Sequence, residues 1–362
     1  MHVFSKPSRR DLMTLLAGFA VSPLAAATQA HLNDVARYLA GLPVDDASPL
    51  APLTNEPGWR SHAQQLNAAW SRLETNQLSK IRAWSSEHVT TANETLLYMF
   101  SGPDYLYARA FYPKARTYVL AGLEPPGAVP NLLNMTAATR QRGLENLRQS
   151  MKTLLAATFF VTADMQKELN GQGFLGALPV FLVFLARSGM EIRGLDYLRM
   201  TDDGIAETVA APPSIRPSGL KITFYDREAA TERALYFFSV DLVDASLHAG
   251  FVKFLRSQGP SDALFKSASY LVHSANFSKI RNLLLERSRR IIQDDTGVRL
   301  DHYDKNEWRL RPFGRYSTPI PIFKDMYQPS MARFFAEQKA EPLSFHLGYG
   351  SGSSNILLAT RR

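Results

Sequence analysis

The sequence predicts an α+β fold, one domain with helices laid on a mainly antiparallel sheet, and keeps a three-layer α/β sheet as the alternative. Three observations lead there. The chain has 362 residues, 45% hydrophobic and 20% charged, which is long enough to bury a large core without staples. Segments of helical period and segments of strand period come in mixed blocks rather than in strict alternation. No linker divides the chain after the amino-terminal segment, so residues 31–362 read as one domain.

The elements follow in order. A short amphipathic helix over 31–42 leads into a segment punctuated by Pro43, Pro49, Pro52 and Pro57, an extended wrap. Leu66, Trp70, Leu73, Ile81 and Trp84 then recur at three- and four-residue steps over 61–88, one buried stripe of a long helix. Leu96–Phe100 reads as a strand running into the turn Ser101-Gly102-Pro103-Asp104, with Asp104 capping a helix that starts at Tyr105. Thr117–Leu123 is a second strand. Residues 138–160 and 174–187 read as buried helices, Pro179 fitting a first-turn position. From Met190 the texture is β: Glu191–Met200, Leu220–Tyr225 with its period of two, and the apolar run Leu235–Leu242. Helices are expected at 246–257, 261–274 and 277–295, and strands at Ser344–Leu347 and Asn355–Thr360.

The amino terminus carries Lys6, Arg9 and Arg10, then an apolar stretch from Leu12 to Ala27, then small residues. That order is that of an export signal, and the paired arginines make it resemble a twin-arginine signal, cleaved after Ala27 or Ala30. The resemblance implies a periplasmic protein exported already folded. The apolar run is too short for a permanent anchor, being under the roughly 20 residues a helix needs to span a bilayer. The net charge is +8 and falls to +6 without residues 1–30. No basic-aromatic pattern accompanies it, so nucleic acid is not an expected partner. With no cysteine, disulfides, thiolate metal sites and a cysteine nucleophile are excluded.

Chemistry is expected at a few places. Asp294 and Asp295, read as the end of helix 277–295, would oppose its macrodipole by about 0.3–1 kcal/mol each, so either they pair with an arginine such as Arg290 or one of them points into a cleft as an acid or base, or holds a cation. Ser269 and His273, four apart on a helix, could share a face. No Gly-x-Ser-x-Gly elbow accompanies them. Asp104, His273, Asp294 and Asp295 are therefore the candidate catalytic residues, and Ser101, Tyr105, Arg281 and Tyr316 the candidate binding residues. No metal site or cofactor is expected. Asp301, His302 and Asp304 cluster in a polar loop, as solvated charges commonly do. Gly348–Ser354 lacks the following helix that a phosphate loop needs and reads as a hairpin.

Phe100-Ser101-Gly102-Pro103-Asp104-Tyr105-Leu106-Tyr107-Ala108, Gly122-Leu123-Glu124-Pro125, Phe277-Ser278-Lys279-Ile280-Arg281 and Gln293-Asp294-Asp295-Thr296-Gly297 resemble segments of a bacterial family of exported proteins with no assigned activity. The resemblance implies localisation and a single domain, and no catalysis. Two expectations result: a periplasmic protein that binds a small molecule or a protein partner between the Asp104 turn and Asp294-Asp295, or a cofactor-independent hydrolase or lyase. In the second, Asp294 or Asp295 is the base, His273 the acid or a hydrogen-bond donor, and Arg281 orients an anionic substrate.

Overall fold

The computed structural model describes residues 23–157, 174–212, 216–349 and 354–362, with side chains from residue 29 onward. Of the expected signal at residues 1–30, residues 1–22 lie outside the described residues and 23–30 open a helix. The expected α+β class is what the structure shows. A ten-stranded mixed sheet runs in the order β4-β3-β5-β6-β2-β1-β7-β8-β10-β9, where β1 is Thr95–Tyr98, β2 Thr117–Gly122, β3 Met190–Met200, β4 Ala206–Val209, β5 Gly219–Asp226, β6 Thr231–Ser239, β7 Ser261–Phe265, β8 Ser288–Gln293, β9 Trp308–Gly314 and β10 Asn355–Arg361.

Antiparallel pairings outnumber parallel ones by five to four. The parallel ones are contiguous. Strands β6, β2, β1, β7 and β8 form the middle of the sheet, all running the same way, and antiparallel strands extend it at both edges. Parallel strands need covering on both faces. That requirement is met along β1, where Leu96 and Tyr98 join the core on one side, and Leu97 and Met99 the core on the other.

The first core is closed by α1 (Pro23–Leu39), α2 (Pro57–Leu73), α3 (Ser79–His88), α4 (Tyr105–Phe111), α5 (Ala137–Ala157) and α6 (Leu178–Arg187). The second is closed by α7 (Ala249–Ser257), α8 (Ser278–Arg287) and α9 (Pro329–Glu337). The three-layer stacking kept as the alternative is thus present within the mixed sheet. Helix α6 is apolar on every side because it lies deep in the first core, with Leu178 through Leu185 all buried.

Three expectations are corrected. Residues 261–274 are not a helix: β7 occupies their start, and Ser269 and Tyr270 adopt positive φ, 51° and 56°. Residues 277–295 are not one helix either. The helix α8 stops at Arg287, Ser288 turns extended at ψ 135°, and the chain continues directly as β8. Asp294 and Asp295 therefore follow a strand, and the macrodipole conflict does not arise. Finally, Ser344–Leu347 forms no strand, while β9 and α9 go unannounced by periodicity.

Chain order through the parallel block positions the site. From β1 the chain moves outward to β2 and then, through the antiparallel edge, to β6; it then crosses back over to β7 and β8 on the other side of β1. The two excursions leave β1 in opposite directions. Between β1 and β7 the strand order reverses, and in open sheets a crevice opens there at the carboxyl ends of the strands.

Candidate functional site

A cavity of about 610 Å³ occupies that crevice. Its walls come from the segments leaving four parallel strands: Tyr98 to Asp104 after β1, Gly122 to Glu124 after β2, Val240 to Val243 after β6, and Lys266 to Ser269 after β7. Ile320, Ile322, Phe323 and Tyr349 also line it. The walls are mainly apolar and the polar groups few, as in small-molecule sites generally.

At the floor, Asp104 is 1% exposed and Lys266 4%. Lys266 Nζ lies 2.9 Å from Asp104 Oδ2 and 4.3 Å from the centre of the Tyr107 ring. The Tyr98 hydroxyl donates to the same Oδ2 at 2.9 Å, and the Tyr107 N–H donates to Oδ1 at 3.1 Å. Asp104 thus caps α4 as the sequence predicts, and its carboxylate is already engaged by three donors. Burial pushes its pKa up and the Lys266 ammonium pulls it back. A pair this deep owes little to Coulomb attraction net of desolvation, but removing one partner strands the other.

Glu124 is the residue the sequence reading passes over. Its carboxyl is 1% exposed, folds back beside Gly102 and over Gly122, and leaves Oε2 without a hydrogen-bond partner. A Cβ on Gly122 would sit 2.9 Å from the Gly102 Cα, so only glycine permits this approach of the two turns. Burial raises the Glu124 pKa, opposed by the N–H groups of Glu124 and Leu123. The signal available in the sequence is the acidic residue at the end of the second strand, about 20 residues past the first turn, a spacing with meaning in doubly wound sheets.

The backbone around the cavity is strained. Phe100, Ser267, Ser269 and Tyr270 have φ of 61°, 52°, 51° and 56°, a region costing a non-glycine residue roughly 1–2 kcal/mol. Of the six such residues among those described, these four lie in the two segments that flank the switch point. Strain of this kind persists where the surroundings over-determine it, and it collects at ligand sites. What fixes Ser267 is clear: its N–H donates to Asp294 Oδ2 at 2.8 Å, and its carbonyl accepts from the Tyr349 hydroxyl. Ser267 lines the cavity, and its own hydroxyl is buried without a partner.

Of the eight candidate catalytic and binding residues, Ser101 and Asp104 line this cavity and the other six do not, while Ser269, singled out beside His273, does. Asp294 stands behind the wall, bracing Ser267 and accepting from Thr296 N–H at 3.0 Å. Burial and the neighbouring Asp295 raise its pKa. Asp295 accepts from the Tyr270 hydroxyl and from Asn355 Nδ2 at 2.9 Å. Neither pairs with Arg290, which binds Asp262 at 3.4 Å. His273 does not meet Ser269; its Nε2 donates to the Gly297 carbonyl at 2.8 Å, and burial lowers its pKa to about 4. Ser269 instead pairs with the Tyr349 hydroxyl at 3.0 Å.

Arg281 donates to the carbonyls of Val272 and Ser274, holding the loop after β7. Tyr105 is core, edge-on to Tyr118 and Phe224. Tyr316 accepts from Gln328 N–H and stacks on Tyr327. The expected catalytic set is therefore divided, with Asp104 on the floor, Asp294 and Asp295 behind, and His273 turned away. Among the described residues no group of three or more His, Asp or Glu side chains is placed to hold a metal ion, and no helix is long and apolar enough to cross a membrane. Set against known proteins, the chain matches no family model, no curated protein and no solved structure.

Proposed function

We propose that this protein is an exported small-molecule-binding protein whose ligand sits in the cavity between the ends of β1 and β7. One observation carries the reading: strained, non-glycine backbone is concentrated at the strand ends that wall a mainly apolar cavity at the reversal of strand order. Fold stability alone gives no reason to hold Phe100, Ser267 and Ser269 in the left-handed region. The hydrolase or lyase alternative has less support, since its acid, His273, and its orienting group, Arg281, are both spent on backbone carbonyls outside the cavity.

Native mass spectrometry of protein purified from its own cells tests this. Wild type is expected to carry a non-covalent small-molecule adduct, and Val243→Trp, which fills the cavity from a half-buried wall position, is expected to lose it. An adduct retained equally by both proteins would overturn the reading. Export by the twin-arginine route, with residues 1–30 removed, belongs to the same proposal. Replacing Arg9 and Arg10 by Lys should leave full-length protein in the cytosol, which fractionation with amino-terminal sequencing reads directly.

A further inference from the structure

The ligand's chemistry can be taken further, resting on the binding reading above. We infer that the cavity takes a nucleoside carrying no phosphate, its ribose hydroxyls donating to the Glu124 carboxylate and its base entering the apolar wall formed by Leu123, Val240 and Leu242.

Glu124 is the first ground. A carboxylate 1% exposed, with one oxygen buried without a partner, on a residue that lines a cavity, is an incomplete hydrogen-bond site. A vicinal diol completes it, presenting two hydroxyl donors side by side to an acceptor that has two oxygens. The place is right as well. In doubly wound sheets the acidic side chain at the end of the second strand meets ribose, while the first strand's turn lies close to the ligand backbone. Here that turn holds Gly102 against Gly122, and Glu124 lies across both.

The second ground is what the first turn does not offer. In dinucleotide sites a glycine-rich turn leads into a helix whose free N–H groups receive phosphate. In this chain the corresponding Tyr107 N–H is already taken by the Asp104 carboxylate. Asp104, Glu124 and Asp241 line the cavity with Lys266 as the basic residue, and Lys266 is held against Asp104. A phosphate at this end would face like charge. A neutral or cationic 5′ substituent would not, and the buried hydroxyl of Ser267 is a polar group within the same wall.

The third ground is size and wall chemistry. About 610 Å³ exceeds what a single sugar fills, and the exits of β2 and β6 contribute Leu123, Val240 and Leu242 as an apolar face suited to a planar base.

Isothermal titration of the full-length folded protein tests the inference, with adenosine, guanosine, cytidine and uridine as probes, then the 2′,3′-dideoxy and 5′-monophosphate forms of the best binder. At least one nucleoside should bind. Loss of both hydroxyls should weaken it tenfold or more, and so should addition of the phosphate. Glu124→Gln should weaken the nucleoside by a similar factor while leaving the dideoxy form unchanged, a pattern that a merely misfolded variant would not give. A monophosphate that binds as well as the nucleoside, or a dideoxy form that binds as well, overturns the inference. If no nucleoside binds but the mass-spectrometric adduct is still lost in Val243→Trp, the nucleoside assignment fails and the binding site stands. If neither is seen, both fail.

Discussion

Single residues here are explained by who already holds them. Lys266 and Asp104, both at most 4% exposed and 2.9 Å apart, should be far more sensitive to single than to paired substitution. Lys266→Met alone is expected to destabilise by about 3–5 kcal/mol, the order found when one member of a buried pair is removed. Adding Asp104→Asn should restore part of that loss, measurable by urea unfolding of the four proteins. His62 supplies a pH prediction. It is fully buried, Arg148 donates to its Nδ1 at 2.9 Å, and its Nε2 therefore donates to the Leu39 carbonyl at 2.8 Å. That arrangement is the neutral ring, and burial lowers its pKa to about 4. A base with a depressed folded pKa is protonated first in the unfolded state, so stability is full above about pH 6.5 and declines as pH falls from there toward about 4. Thermal melts of wild type should fall through that window, and His62→Gln should flatten the fall; an unchanged slope would contradict the assignment.

Between residue and molecule, the elements show where sequence signals carry and where they stop. Amphipathic α2 and α3, apolar α6, the alternation in β5 and the Asp104 cap of α4 are all legible, because each advertises its period or its boundary residue. Strands β7 and β8 are not. Strand β7 opens with Ser261 and Asp262, polar yet fully buried, since Asp262 is satisfied by Asn93 and Arg290, and no local pattern reveals partners so distant in sequence. Strand β8 follows α8 with neither glycine nor proline at Arg287-Ser288, so Arg289 and Arg290 read as more helix. Of the two misread strands β7 bounds the switch point and β8 lies next to β7, which is why the site was only half visible: its Asp104 side follows a readable cap, its Lys266 and Ser267 side an unreadable strand. The strain at that side is testable. The Ser267 hydroxyl has no partner to lose, so Ser267→Gly should relieve the left-handed φ and raise stability by about 1 kcal/mol, seen as a higher melting temperature. A lower one would mean the backbone is not strained there.

At the scale of the whole molecule, one ten-stranded sheet joins two kinds of architecture. The antiparallel edges extend the sheet, and the parallel centre, with helices on both faces, makes an opening at its carboxyl end. All the strand exits that meet there come from different parts of the chain: residues near 100, 122, 240 and 266 converge only once the crossover from β6 to β7 has formed. The proposed binding function rests on that convergence, and the proposed export on the amino terminus. A second groove lies elsewhere, lined by Lys305, Arg309, Arg333 and Arg362 beside Trp308, and it provides the competing location for any bound molecule. A crystal structure of the protein saturated with the molecule it retains in native mass spectrometry decides between them. The account predicts ligand density against Gly102, Glu124 and Ser267 at the ends of β1, β2 and β7; density confined to the basic groove, with the switch-point cavity empty, would contradict it.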